Sequence, residues 1–231
     1  FTLQRIAHLG HHQRNRTDSE LYDYYLPHES RWWRNVWMYL GNLLGLYWLC
    51  VVLSNALLLV APWLYRSRWF VRTLAPALGF GPYMHDIAQA APLRLWLEVA
   101  AAALYQAVLF YVLDLHGPGV ALCYAGFALH WSVLQYATHA WSARDVRNGA
   151  WNLRVLAPSR WLALNYHYHL AHHQNPHLPW YALPAAVQPG LQPSFWRVYF
   201  SLYKGVRPAP PMGAPADLAY LFASAPDQPA A

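Results

Sequence analysis

Charge is what this sequence has least of. Asp, Glu, Lys and Arg make up 11% of the 231 residues, whereas 57% are hydrophobic; average soluble domains carry about 25% charged residues. The deficit argues against an ordinary water-facing surface and for a membrane environment. Lysine is confined to Lys204. The arginines behind the formal charge of +6 are dispersed and flank apolar runs, as basic residues at lipid headgroups do. They form no basic stripe, so nucleic acid is not an expected partner. The two cysteines, Cys50 and Cys123, both lie in apolar runs and offer no disulfide framework or cysteine zinc site. The sequence also lacks a flavin or dinucleotide glycine fingerprint, a haem-attachment C-x-x-C-H and the H-E-x-x-H of zinc hydrolases. Any redox chemistry must therefore take its electrons from another protein. Finally, the chain starts at Phe1 with neither Met nor a signal peptide, which reads as a truncated N-terminus.

What is present is long apolar runs bracketed by aromatics. Val36 to Ala61 is uncharged for 26 residues, enough for about 39 Å of helix. Trp32, Trp33 and Trp37 stand on one side of it and Pro62, Trp63 and Tyr65 on the other. Residues 62–94 carry Arg66, Arg68, Arg72 and Arg94 among Pro76, Pro82 and Pro92, and read as an irregular surface-lying connection. Leu95 to Leu115 is a second run, Gly117-Pro118-Gly119 a tight turn, and Val120 to Ala137 a third run. The last two runs form a predicted transmembrane hairpin, with Glu98 and Asp114 near the ends of their run where charge costs less. The piece PSFWRVYFSLYKGVR reads as interfacial. No linker divides the chain, so 1–231 is expected to be one domain with a loosely ordered Pro-rich tail over 208–231.

The chemistry-bearing residues are histidines. In NYHYHLAHHQNPHLPW, His169, His172 and His173 form H-x-x-H-H, which on a helix places three imidazoles within roughly a 100° arc. The same spacing recurs in AHLGHH as His8, His11 and His12. Imidazole suits iron, zinc, copper and nickel alike, so residue type alone leaves the metal open. At the end of the last apolar run, His139 lies four residues after Gln135, and both face the same way if the helix continues. His130, nine residues before His139, points about 180° away and reads as packed or lipid-facing. His167 and His177 flank the main cluster as partners that could fix a bound imidazole; Asp145 and Asn165 are further candidate acceptors. His28, His85 and His116 stand alone. Arg144, Arg147, Arg154 and Arg160 offer a donor-docking or headgroup-binding surface.

One geometric constraint follows. Clusters that share a metal centre must lie on one membrane face, which requires an even number of crossings between them. Val36 to Ala61 is therefore expected to lie in the interface or to re-enter, with Gly41, Asn42, Gly45, Ser54 and Asn55 permitting a bent or broken helix.

On these residues, from AHLGHH through the hairpin to YHLAHHQNPHLPWYALP, the chain resembles the membrane fatty acid desaturases and the related hydroxylases and carotenoid ketolases. The resemblance implies an all-α integral membrane protein: a transmembrane helical hairpin with interfacial helices and a cytosolic cap of histidine boxes. His8, His11 and His12 match the second box, His169, His172 and His173 the third, and His139 the additional histidine near the last transmembrane helix. Gln135 falls where some members carry a metal-linked Asn. Two iron ions with O2 as cosubstrate are the implied cofactors. The implied activity is insertion of a double bond into a fatty acyl chain, with hydroxylation or ketolation, or a catalytically incomplete relative, as alternatives. Implied partners are the bilayer, an acyl lipid and an external electron donor of the ferredoxin or cytochrome b5 type. The implied location is the bacterial inner membrane, boxes facing the cytoplasm. The departure from the family pattern is that no first box precedes His8, leaving a fragment or a degenerate relative as the two readings.

Overall fold

The computed structural model describes residues 1–77 and 80–222. They are almost entirely helical. In chain order the helices are α1 (Thr2–Arg14), α2 (Arg31–Trp37), α3 (Leu46–Val60), α4 (Ala75–Ala77), α5 (Gly81–Ala88), α6 (Pro92–Val112), α7 (Gly117–Ala137), α8 (Ala157–Leu162), α9 (His169–Gln174), α10 (Leu183–Ala186), α11 (Phe195–Leu202) and α12 (Leu218–Phe222). Two dipeptide strands, β1 (Tyr24–Tyr25) and β2 (Arg207–Pro208), pair in parallel with Tyr24 opposite Arg207. The chain divides into two compact units, one of residues 1–14 and 40–132, the other of 15–39 and 133–231.

In the first unit, α6 is, among the described residues, the one unbroken helix long and apolar enough to cross a membrane. Only 11% of its most apolar stretch is buried, and Leu97, Leu104, Val108 and Tyr111 project outward. The length and apolar composition of α6 would suit a membrane span. The hairpin turn falls earlier than the sequence indicates: it occupies Leu113–His116, and Gly117-Pro118-Gly119 starts α7. Proline suits the first helical turn, where its missing N–H costs nothing.

The run from Val36 to Ala61 is broken. After α2 the helix widens into a π-helical turn (Met38–Leu43), stops at Leu44–Gly45, and restarts as α3 after a 77° bend. Gly45 adopts φ +80°, and a Cβ there would stand 2.8 Å from the Ala128 carbonyl carbon and 2.9 Å from the Leu129 nitrogen of α7. Only glycine admits both that backbone and that approach.

Residues 62–94 are more ordered than expected. A 3-10 turn (Pro62–Arg66), a π-helical turn (Phe70–Leu74), α4 and α5 follow one another. They form a small core of Leu58, Tyr65, Ala75, Met84, Leu95 and Val99. Tyr65 donates to the Ser54 carbonyl at 2.6 Å, and Trp96 Nε1 to the Leu59 carbonyl at 3.0 Å. The arginines that suggested a surface segment are its solvent side: Arg66 donates to the Ala90 carbonyl and ties the segment's ends together. At the other edge, Arg14 of α1 pairs with Asp86 of α5 at 2.7 Å, and Thr2 donates from its N and Oγ1 to Glu98 of α6.

The second unit is built around buried polar groups. Arg16 and Asp23, each 1% exposed, pair at 2.6 Å. The second oxygen of Asp23 accepts the Trp141 backbone N–H at 2.5 Å, and Arg16 also donates to the Ser142 carbonyl. Trp141 is fully buried against the rings of Tyr24 and Tyr220, and its indole donates to Ser201 of α11 at 2.8 Å. Arg144, expected on a docking surface, is instead buried: it donates to the Pro210 carbonyl and to Asp18. Arg154 and Arg160 are exposed, as is Arg147, which donates to the Gln174 carbonyl. Of the tail, residues 208–222 are tied to the unit by Gly213 and Ala214 bonded with the Arg144 backbone and by Asp217 N–H to the Trp141 carbonyl. Residues 223–231 lie outside the described residues.

Candidate metal centre

Two separated segments of the second unit converge on one histidine cluster. His139 follows the end of α7, where Thr138 Oγ1 closes the helix by donating to the Gln135 carbonyl at 2.7 Å. His169 and His173 lie one helical turn apart on α9, so both rings leave the same face. All three are buried, and their ligand nitrogens lie within 4.8 Å of one another. The ring centroids are separated by 4.7 Å (His139–His169), 5.0 Å (His139–His173) and 4.8 Å (His169–His173).

The protonation pattern suits a metal. His139 Nδ1 lies 2.8 Å from the Gly149 carbonyl; a carbonyl only accepts, so Nδ1 carries the proton and Nε2 presents a lone pair. That Nε2 stands 2.9 Å from His169 Nε2. A backbone acceptor behind a ligating imidazole is the usual device for orienting it. Gly149 makes the device possible. A Cβ there would meet the Asp145 carbonyl oxygen and Arg16 Cγ at 2.3 Å, and its carbonyl is further fixed by Asn15 Nδ2 at 3.1 Å.

Helix α9 is only six residues long, too short to hold itself. Its scaffold is the antiparallel bridge between Asn152 and Tyr168, flanked by Leu153 N–H to the His167 carbonyl and Leu170 N–H to the Trp151 carbonyl. The buried Asn152 supplies Oδ1 to the Ala171 N–H at 3.0 Å, capping the first turn from outside the helix.

The other candidate residues are placed as follows. His172 is half-buried on α9, its ring 5.6 Å from that of His169. Gln135 hydrogen-bonds Tyr166, whose ring packs 4.7 Å from His169. Burial raises the Tyr166 phenol well above its usual range, and the Gln135 bond partly opposes this. Tyr166 had no signal in the sequence. His167 is buried and both its ring nitrogens lack a hydrogen-bond partner; burial, then the nearby Arg160 charge, pushes it down to about 4, so it is neutral. His177 is exposed. Asp145 caps its own turn, accepting from the N–H groups of Arg147 and Asn148. Asn165, at φ 57°, donates to the Trp180 carbonyl.

In the first unit, α1 brings His8 and His12 together with Nε2 atoms 3.2 Å apart. His11 lies beside His12 at 5.9 Å between ring centroids. His130 is exposed on α7.

The sequence model of the fatty acid desaturase family matches residues 1–201, and the chain belongs to that family. No curated protein and no solved structure gave a match.

Proposed function

We propose that this chain is an O2-dependent, diiron enzyme of the membrane that introduces a double bond into a fatty acyl chain. The observation that carries the reading is the convergence of His139, His169 and His173, with the His139 tautomer fixed by Gly149, in a chain of the desaturase family. An all-imidazole, buried donor set fits iron. The residues that would hold two irons are His8, His11, His12, His139, His169, His172 and His173, with Gln135 as a further candidate. His167, His177, Asp145 and Asn165 are the candidate outer partners. Bound and reduced, such a pair of irons supplies activation of dioxygen and removal of hydrogen from an unactivated C–H bond. The chain's own share is to fix the imidazoles, through Gly149 and Asn152, and to keep bulk water away from them.

In this reading α6 and α7 cross the bilayer as a hairpin, while the bent segment from α2 to α3 re-enters, so that the histidine boxes lie on the cytoplasmic face of a bacterial inner membrane. Tags placed near Arg66 and Arg147 should report one side; opposite sides overturn that topology. Electrons come from a ferredoxin or cytochrome b5 type donor. The chain, 1–231, is read as a single membrane desaturase-like domain.

The activity is tested by mass spectrometry of lipids from cells expressing the protein. A new acyl product lighter by two hydrogens is expected, and lost in His172→Ala. A product heavier by one oxygen would make the enzyme a hydroxylase, the path to ketolation of a carotenoid included. Unchanged lipids together with an iron-free protein would refute the proposal.

A further inference from the structure

We propose that the second unit holds a binding site for the headgroup of an anionic phospholipid, formed by α11 and the chain around Lys204. Two clefts of about 390 Å³ each adjoin there and share Lys204. One is lined by Ser194, Trp196, Arg197 and Phe200, the other by Arg31, Arg207 and Tyr220. No carboxylate lines either cleft among the described residues; the nearest paired one, Asp217, holds Arg207 at 2.6 Å. Four cations against one carboxylate is an unusual concentration in a chain with so little charge, and one of them is its single lysine.

The cations are pre-positioned on aromatic rings. Arg197 lies over Phe222 at 5.0 Å and Arg207 over Tyr220 at 4.6 Å. Lys204 donates to the Tyr220 carbonyl at 2.9 Å and lies 5.1 Å from the ring. Stacking orients the Arg197 and Arg207 charges on their rings, while Lys204 and Arg207 each give a donor to a protein partner, the Tyr220 carbonyl and Asp217. A phosphodiester there meets several cations lining two adjoining clefts.

The surroundings choose a lipid over a soluble anion or an acidic protein. Helix α11 buries Val198, Ser201 and Leu202, while Trp196 and Phe200 are 54% and 63% exposed. Trp32 and Trp33, next to Arg31, are 63% and 64% exposed. Exposed tryptophans beside a basic groove match the headgroup level of a bilayer, where indole sits at the boundary and cations meet phosphate. The inference rests on the membrane reading above and extends it to a particular surface.

The test uses the full chain in a neutral detergent, titrated with short-chain phosphatidylglycerol or phosphatidylcholine and followed by native mass spectrometry. Phosphatidylglycerol should bind at least tenfold more tightly. Arg197→Gln and Lys204→Gln should each weaken it about fivefold, the value expected for one cation near an anionic headgroup. Arg68→Gln, an exposed arginine outside the clefts, should leave it unchanged. Melting curves confirm that the variants remain folded. Equal affinity for the two lipids, or equal losses in all three variants, overturns the site. Unaltered lipid binding with weakened binding of an acidic ferredoxin would reassign the surface to a protein and refute the proposal. Carbonate extraction separates this failure from the larger one: a chain that leaves the membrane on washing refutes the membrane reading itself.

Discussion

Both units bury apolar side chains, and the second buries many polar ones as well. In the first, the buried side chains are Leu43, Leu58, Tyr65, Ala75, Met84, Leu95, Val99 and Ala128, and the polar one is Ser132 at its last position. In the second, Asn15, Arg16, Glu20, Asp23, Thr138, His139, Ser142, Arg144, Asn152, His167, His169, His173 and Ser201 are all buried. The first presents apolar rings and chains outward along α6; the second hides charge behind Trp141 and Tyr24. On the membrane reading proposed above, lipid accounts for the first pattern, because that solvent is as apolar as the core. The second has a low-dielectric interior in which buried groups such as Arg16, Asp23 and Asn152 are positioned by their hydrogen-bond partners. The histidine cluster that could hold a metal lies in the second environment, where the Gly149 carbonyl fixes the His139 ring.

The contrast can be broken at its strongest point. Asp23→Ala leaves Arg16 buried without its carboxylate and removes the acceptor of the Trp141 N–H. A loss of about 3–5 kcal/mol is expected, read as a large fall in melting temperature and loss of the near-UV signal of Trp141. A change of under about 1 kcal/mol would mean the pair is solvated.

Leu104→Arg tests the first unit. Leu104 is mid-helix in α6 and 66% exposed; on a water-facing helix the change would be worth about ±0.5 kcal/mol. In a bilayer the arginine itself costs about 2.5–3.5 kcal/mol. A membrane-insertion assay should show that cost as a marked drop in the inserted fraction, and unaltered insertion would remove α6 from the membrane.

A smaller effect is expected from Asn152→Ala. It removes the cap of the Ala171 N–H and should cost about 0.5–2 kcal/mol. Because α9 has no stability of its own, iron retention should fall further than global stability does. Retained iron with lowered stability would show that α9 is held by its bridges alone.

The histidine clusters and the long helices α6 and α7 were legible because their signals are local: i, i+3, i+4 spacing and apolar run length. The supporting residues were not. Gly149 and Asn152 act across ten and nineteen positions on His139 and Ala171, and no periodicity announces a backbone carbonyl aimed at a ring. Tyr166, bonded to Gln135 thirty-one positions earlier, is hidden for the same reason. Arg144 resembled its exposed neighbours in sequence, and only the fold returns Asp18 and Pro210 to it. Proline misled twice, at residues 62–94 and at Gly117-Pro118-Gly119, because it starts helices as readily as it ends them.

The most direct measurement is the iron content of the protein purified from membranes, compared with His139→Ala, His169→Ala and His173→Ala. Iron should be present in the parent and nearly absent from each variant, with melting temperature and near-UV spectrum showing the second unit still folded. Folded variants that keep the parent's iron would contradict the assignment of these histidines as the metal's ligands.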